Sequence, residues 1–199
     1  AKRIVGVMVA ILVAAAQPAS GGLPHTVVVG DSITSTPIVS RGTRSLGYLL
    51  QRRMPLIAVT VWARGGWTVS VPGFWRPGVD YLAGMAADRY VLMLGRNDIG
   101  ANVPLEEFAA AYAQYLDGIC EGNPNCTVVA VTPLAPPADD ATSIPYRQAI
   151  ADLCAVRANC RVIDGPALVP SEPRYYLDAV HLNDSGTRVL ARALSDELR

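Results

Sequence analysis

The sequence predicts a single α/β domain built on a five-stranded parallel sheet, and three observations favour this class. Apolar, β-branched runs alternate with helical patterns along the chain. These runs are nearly continuous in apolar residues, as in parallel strands that are buried on both faces. A length of 199 residues suffices for one full core, and a content of 51% hydrophobic and 17% charged residues is too apolar for a disordered chain.

The order of the elements predicts the topology. Five strands are expected at residues 26–29, 57–62, 90–94, 127–132 and 161–163. Five helices are expected at residues 43–53, 79–87, 105–119, 144–157 and 185–198. Strands that alternate with helices form a doubly wound sheet, so we predict a flavodoxin-like three-layer α/β/α sandwich with strand order 2-1-3-4-5. The proline-rich residues 133–141 are expected to form a surface loop.

The first 20 residues have the pattern of a secretory leader. Lys2 and Arg3 precede an apolar stretch at residues 4–16, and small residues suited to a cleavage site follow in QPASGG. The apolar stretch is shorter than the roughly 20 residues of a membrane span. We expect residues 1–20 to direct export to the cell envelope or the medium, and residues 21–199 to form the folded domain. An uncleaved anchor and a buried first helix stay open as alternatives.

Export would also account for the four cysteines, because an even number of cysteines in an oxidising compartment usually forms disulfides. Cys120 and Cys126 have the same spacing as Cys154 and Cys160, and each pair flanks turn-like residues. Among the three possible connectivities, we expect the one that joins each pair locally. Structural zinc sites prefer close C-x-x-C pairs, which the sequence lacks, so a metal site is not expected.

The charge balance gives no sign of a polyanionic partner. Lys and Arg number 17, and Asp and Glu also number 17, so no excess positive charge is available for nucleic acid or an acidic membrane. We expect a small or neutral ligand, no nucleic-acid partner and a monomeric chain.

Polar residues follow the carboxyl ends of the first three predicted strands. They are GDS at residues 30–32, ARGGW at 63–67 and GRND at 95–98. A fourth polar segment, DAVH at 178–181, lies between the fifth strand and the last helix. The carboxyl ends of parallel strands meet at one edge of the sheet, so the four segments should converge on one crevice.

Three residues of these segments have the chemistry of a catalytic triad. A serine hydroxyl becomes a strong nucleophile when a base removes its proton, and imidazole suits that task at neutral pH. The chain has two histidines, and His25 should lie at the opposite end of the sheet, which leaves His181 as the base for Ser32. Asp178 is close enough to bind the imidazole and fix its tautomer. We predict a triad of Ser32, His181 and Asp178.

A serine nucleophile also requires donors for the oxyanion that forms on the substrate. We expect these donors to be the backbone N–H groups of Ser32 and Gly66 and the side-chain amide of Asn97. Asp31 is expected to hold the turn after the first strand, and Asp98 to be an ordinary turn residue.

Together these segments resemble the four sequence blocks of the SGNH (GDSL) hydrolase family, in the right order from residue 27 to the end of the chain. The resemblance implies the 2-1-3-4-5 sheet, an acyl-serine intermediate and ester or thioester substrates. It also implies that Ser32 is the nucleophile, His181 the base and Asp178 its orienting partner.

The second block departs from the family pattern. The family often has Asn before the glycine and Asp after it, whereas this chain has TVWARGGWT at residues 60–68. Either Gly65 or Gly66 could therefore be the oxyanion donor, and the spacing to Thr68 favours Gly66.

These observations predict an exported serine esterase that acts without a metal or organic cofactor on an ester of a small molecule, lipid or glycan. One alternative is an SGNH-type O-acyltransferase or deacetylase of a cell-envelope glycan or lipid, because the same triad serves both chemistries. Another is a non-catalytic, flavodoxin-like binding module. A flavin site would need a phosphate cradle in the first loop, and that loop, SITSTPIV, lacks glycine.

Overall fold

The computed structural model describes residues 22–35, 45–70, 78–134 and 140–199. Five strands form one parallel sheet in the order β2-β1-β3-β4-β5, which confirms the predicted topology. The strands are β1 His25–Gly30, β2 Ala58–Ala63, β3 Arg89–Met93, β4 Thr127–Val131 and β5 Cys160–Ile163. Every strand end lies within one residue of its predicted position, because continuous runs of valine, isoleucine and leucine have sharp limits in the sequence.

The described residues contain eight α-helices, three of which were not predicted. They are α1 Ser32–Ser35, α2 Leu46–Arg53, α3 Val79–Ala83, α4 Arg96–Gly100, α5 Leu105–Gly118, α6 Asp140–Ala155, α7 Gly165–Leu168 and α8 Asp184–Leu198. The unpredicted helices α1, α4 and α7 are too short to show a helical period in the sequence.

Two predicted boundaries were wrong. Helix α3 ends at Ala83 rather than at residue 87, because Gly84 follows it and Ala86 takes a left-handed φ of 49°. Helix α6 begins at Asp140, so the last two residues of the loop predicted at 133–141 are helical. Two predicted parts lie outside the described residues. They are residues 135–139 of that loop and residues 43–44 of the first predicted helix.

The side chains of β1 alternate between two apolar layers. Val27 and Val29 pack with residues of α3, α5 and α6, whereas Val28 packs with residues of α2 and α8. All three valines are completely buried, as expected for a central parallel strand. Helices therefore cover both faces of the sheet, which is the predicted three-layer arrangement.

The register of the sheet aligns the carboxyl ends of its central strands. Gly30, the last residue of β1, pairs with Ala63 at the end of β2 and with Met93 at the end of β3. The loops that follow these three strands therefore start at the same level. In doubly wound sheets, the crevice that binds a ligand lies at this edge, at the switch point of the strand order.

Both cysteine pairs form the predicted local disulfides. The Cys120–Cys126 bond lies between α5 and β4, and the Cys154–Cys160 bond lies between α6 and β5. The chain has no free cysteine. Each bond closes a short loop and so removes some conformational freedom from the unfolded chain.

The leader predicted at residues 1–20 lies outside the described residues, and its boundary with the domain is untested. Among the helices that the structure describes, none is both long enough and apolar enough to cross a bilayer. The longest, α6, has 16 residues, whereas a span requires roughly 20.

Candidate active site

A tight turn directly after β1 presents Ser32, the first residue of α1. The backbone N–H of Ile33 donates to Asp31 Oδ1 at 3.0 Å, so Asp31 holds this turn as expected. A Cβ atom on Gly30 would lie only 2.0 Å from Oγ1 of Thr34. Glycine at position 30 therefore lets the first turn of α1 fold back against the end of the strand.

Ser32, His181 and Asp178 form one hydrogen-bonded chain. Oγ of Ser32 lies 3.0 Å from Nε2 of His181, and Nδ1 of His181 lies 2.8 Å from Oδ2 of Asp178. Ser32 and His181 are 149 positions apart in the sequence, so the fold brings them together. The structure thus places all three predicted triad residues within hydrogen-bonding distance of their expected partners.

Asp178 is fixed by three donors. Its Oδ1 accepts the backbone N–H of His181 at 2.7 Å and that of Val180 at 2.8 Å, while Oδ2 faces the imidazole. The backbone N–H of His181, the His181 imidazole and the Val180 N–H lower the pKa of Asp178 to about 2. An ionised carboxylate can only accept, so Nδ1 carries the shared proton and Nε2 presents its lone pair to Ser32.

A closed loop carries the DAVH segment. Tyr176 and Leu182 form an antiparallel bridge at its base, and the N–H of Leu177 donates to the carbonyl of His181 at 2.8 Å. The imidazole of His181 is 28% exposed, so it is supported by the protein and still open to substrate. The bridge therefore holds the imidazole in place at the mouth of the crevice.

The loop after β2 approaches the serine through two glycines. A Cβ atom on Gly65 would lie 3.6 Å from Cβ of Ser32. Gly66 has a φ of 83°, and the N–H of Trp67 donates to the carbonyl of Arg64 at 3.3 Å, which closes a tight turn. The left-handed φ favours glycine at position 66. Gly65 and Gly66 are both exposed, and the choice of Gly66 as the oxyanion donor stays a prediction.

Asn97 joins the loop after β3 to the loop after β2. It lies in the first turn of α4, and its Nδ2 donates to the carbonyl of Trp67 at 2.8 Å. An amide nitrogen carries two N–H groups, so one remains for an oxygen atom of a substrate after the bond to Trp67 is made. The role of Asn97 as an oxyanion donor stays a prediction.

The sequence matches the model of the GDSL-like lipase/acylhydrolase family over residues 28–189. The chain belongs to this family. A search of curated proteins finds no match.

Solved structures share the fold of this GDSL-family chain at low sequence identity. TesA is 16% identical, with a TM-score of 0.72 over 88% of this chain and 98% of that one. A family 3 carbohydrate esterase from Talaromyces cellulolyticus is 18% identical, with a TM-score of 0.70 over 88% and 96%. A salicylyl-acyltransferase from a tetracycline biosynthetic pathway is 18% identical, with a TM-score of 0.71 over 90% of this chain and 55% of that one.

The expectation that Asp98 is an ordinary turn residue was wrong. Its side chain is completely buried, and it accepts the N–H of Val69 at 3.1 and 3.2 Å, the N–H of Ser70 at 3.1 Å and the hydroxyl of Ser70 at 2.6 Å. The expectation considered only the local turn propensity of aspartate. The partners lie 28 and 29 positions away, and the only sequence signal was the place of Asp98 beside Asn97 in GRND.

Asp31 is a second buried carboxyl group, and it lies beneath the crevice. Burial raises its pKa to about 6, against the opposing effects of the Ile33 N–H and the nearby His181, while the charge of Asp98 raises it further. The GDS segment of this chain therefore has, directly beside the serine, a carboxyl group whose ionisation is opposed by burial.

Proposed function

We propose that this chain is an exported serine esterase that hydrolyses carboxylic esters through an acyl-serine intermediate. The observation that carries the proposal is the hydrogen-bonded chain from Ser32 through His181 to Asp178, in the crevice where the central strands end. A nucleophile, a base and an orienting carboxylate in this order are the groups that acyl transfer through serine requires. Membership of the GDSL-like lipase/acylhydrolase family supports the same chemistry.

In the acylation half-reaction, Oγ of Ser32 attacks the carbonyl carbon of the ester while Nε2 of His181 takes the hydroxyl proton. Asp178 stabilises the resulting imidazolium. The N–H groups of Ser32 and Gly66 and the amide of Asn97 stabilise the oxyanion of the tetrahedral intermediate. The imidazolium then donates its proton to the leaving alcohol oxygen, the ester C–O bond breaks, and the acyl group stays on Ser32.

In the deacylation half-reaction, a water molecule replaces the alcohol. His181 removes a proton from the water, and the oxygen attacks the acyl carbon to form a second tetrahedral intermediate. The bond to Oγ of Ser32 then breaks, the proton returns to that oxygen, and the carboxylic acid leaves. The enzyme is thereby restored without any cofactor.

An acyltransferase is the second candidate, because a substrate hydroxyl that replaces water would accept the acyl group from the same intermediate. The salicylyl-acyltransferase among the similar structures favours this candidate. The two candidates differ in which acceptor reaches the acyl-serine, and they share the acylation step.

We propose an ester of a small molecule, lipid or glycan outside the cell or in its envelope as the substrate. The leader pattern of residues 1–20 and the two disulfides support export. The carbohydrate esterase among the similar structures supports a glycan ester. Hydrolysis of an acetyl ester of a glycan would be a deacetylation.

The test is hydrolysis of p-nitrophenyl acetate, butyrate and octanoate by the full chain and by two serine variants. Ser32→Ala removes the proposed nucleophile and should lower turnover by about a million-fold. Ser35→Ala is the matched control, because Ser35 lies one helical turn further along α1 and its hydroxyl donates to the carbonyl of Ser32 at 3.5 Å. Its turnover should stay within about threefold of the wild type.

The outcomes separate the candidates. Hydrolysis that disappears only in Ser32→Ala supports the serine mechanism, and the rates on the three chain lengths then measure the acyl pocket. Equal activity in both variants contradicts the proposed nucleophile. A wild type that is acylated on Ser32 by the esters but gives up the acyl group only when an alcohol or sugar is added, with formation of a new ester instead of free acid, supports the acyltransferase.

A further inference from the structure

Two of the three proposed oxyanion donors lie on separate loops that no strand pairing joins. Gly66 belongs to the loop after β2, and Asn97 belongs to α4 after β3. Strand β1 lies between β2 and β3 in the sheet, so no ladder of backbone hydrogen bonds fixes one loop relative to the other. Donors stabilise a developing oxyanion effectively only when they are already in position before the reaction. Another set of contacts must therefore hold the two loops together.

Asp98 makes several direct contacts between these loops. It lies one residue after Asn97, and it binds Val69 and Ser70, which lie three and four residues after Gly66. The amide of Asn97 adds one bond, to the carbonyl of Trp67. The carboxylate thus joins the two loops through three donors.

A carboxylate suits this position because it only accepts hydrogen bonds and has room for several donors. The hydroxyl of Ser70 lies 2.6 Å from Oδ1 of Asp98, a length typical of a charge-assisted O–H···O⁻ bond. A buried charge is costly unless such bonds compensate it. A neutral apolar residue would be easier to bury, but it would leave the two N–H groups and the hydroxyl without their acceptor.

We propose that Asp98 is a positioning residue that sets the separation between the donors on Gly66 and Asn97 without touching the substrate. The proposal rests on the proposed esterase function. The oxyanion exists only in the transition state and the tetrahedral intermediates, so a disturbed donor pair slows turnover and leaves substrate binding almost unchanged.

The first experiment compares the kinetics of Asp98→Asn and Asp98→Ala with those of Ile119→Ala. Asparagine keeps the shape of the side chain and removes its charge, whereas alanine removes every contact. Ile119 is a buried core residue just after α5, so its variant controls for lost stability. Active sites are counted by labelling Ser32 with a fluorophosphonate, so that unfolded molecules do not enter kcat.

Asp98→Asn should lower kcat per labelled site about 10- to 100-fold with KM within about threefold, because small misplacements of catalytic donors have effects of this size. Asp98→Ala should have a larger effect. Ile119→Ala should change kcat by less than about threefold even where its melting temperature is lower. Wild-type kcat in Asp98→Asn together with wild-type kcat in Asp98→Ala would overturn the proposal.

A double-mutant cycle with Asn97→Ala tests whether Asp98 acts through the oxyanion donors. Asn97→Ala alone should lower kcat about 100- to 1000-fold. In that background, the effect of Asp98→Asn should be at least about tenfold smaller than in the wild type, because one of the two donors that Asp98 positions is already absent. If the effects of Asp98→Asn and Asn97→Ala on kcat simply multiply, Asp98 does not act through the oxyanion donors and the proposal is overturned.

NMR of the free protein distinguishes failure of this proposal from failure of the esterase function. The N–H of Gly66 and the side-chain amide of Asn97 should both shift in Asp98→Asn, while the N–H of Val162 in β5 should not. A chain without Ser32-dependent activity would refute the esterase function, and the shifts would still test the positioning. Unmoved Gly66 and Asn97 signals would refute the positioning role, whatever the activity.

Discussion

The two histidines lie at opposite ends of the sheet, and each imidazole faces a hydroxyl. Nε2 of His25 lies 2.9 Å from Oγ1 of Thr60 near the amino end of β1, and Nε2 of His181 lies 3.0 Å from Oγ of Ser32 beyond its carboxyl end. The two contacts have nearly the same length. A hydroxyl next to an imidazole is therefore insufficient to mark a candidate active site.

The surroundings of the two pairs differ. The carboxylate of Asp178 contacts Nδ1 of His181, whereas the carboxylate of Asp88 accepts the backbone N–H of His25. Thr60 lies inside β2, whereas Ser32 begins a helix beyond a strand end, beside the exposed Gly65. Only the carboxyl end combines an oriented base with turns that can offer backbone N–H groups to a substrate.

Charged residues are found at both ends of the sheet, in different surroundings. At the amino end, Arg89 donates to the carbonyl of Leu198 at 2.6 Å and Arg161 donates to the carbonyl of Glu197, so both cations complement the negative end of the α8 dipole. At the carboxyl end, Asp31 is a carboxyl group whose burial opposes its ionisation. Asp178, at the same end, has the opposite behaviour, because the His181 N–H, the His181 imidazole and the Val180 N–H lower its pKa to about 2.

Exchanging each histidine for glutamine should give the largest difference between the two ends. His181→Gln removes the base and should lower turnover on p-nitrophenyl butyrate about a million-fold, as in serine hydrolases that lose a triad member. His25→Gln keeps a polar group near Thr60 and should stay within about threefold of the wild type. Comparable losses of turnover in both variants would mean that His181 supports the folded structure and does not act as the base for Ser32.

Asp178→Asn should make the surroundings of His181 more like those of His25. The asparagine oxygen can still accept the N–H groups of Val180 and His181, so the loop should keep its shape. The amide nitrogen would then face Nδ1 and favour the tautomer with the proton on Nε2, which can no longer accept the proton of Ser32. Turnover on the same ester should fall about ten-thousand-fold in a protein that still folds. Activity near that of the wild type would show that the carboxylate is not needed to orient the imidazole.

The sheet could be predicted because its signal is local. Five apolar runs coincide with the five strands, and the doubly wound order follows from their alternation with helices. The short helices α1 and α4 could not be predicted, since four or five residues carry no period. Both helices form because the chain must turn after a strand end, which is a property of the sheet rather than of their own sequences.

The triad could be predicted because few residues in the chain have the required chemistry. With two histidines in the whole sequence, the position of His25 before the first strand left one base. The role of Asp98 could not be recognised in the same way, because its partners Val69 and Ser70 belong to a different loop. Chemistry that depends on residue type was therefore predictable, whereas contacts between distant loops required the structure.

Asp31 should make the stability of the folded protein depend on pH. Its pKa is about 6 in the folded protein, against 3.8 as its ordinary value. Between these two pH values, the folded protein binds a proton that the unfolded chain has released, so stability falls as the pH rises through this window. The penalty is absent below about pH 4 and complete above about pH 6, and a shift of this size corresponds to about 3 kcal/mol.

Asp31→Asn should therefore raise the free energy of unfolding at pH 8 by up to about 3 kcal/mol and leave it nearly unchanged at pH 4. Asparagine stays neutral at both pH values and can still accept the N–H of Ile33. Urea unfolding at pH 4, 6 and 8 measures the difference, with Asp80→Asn as the control because Asp80 is an exposed carboxylate in α3. A gain that is equal at all three pH values would come from packing, and no gain at pH 8 would mean that Asp31 ionises in the fold without the expected cost.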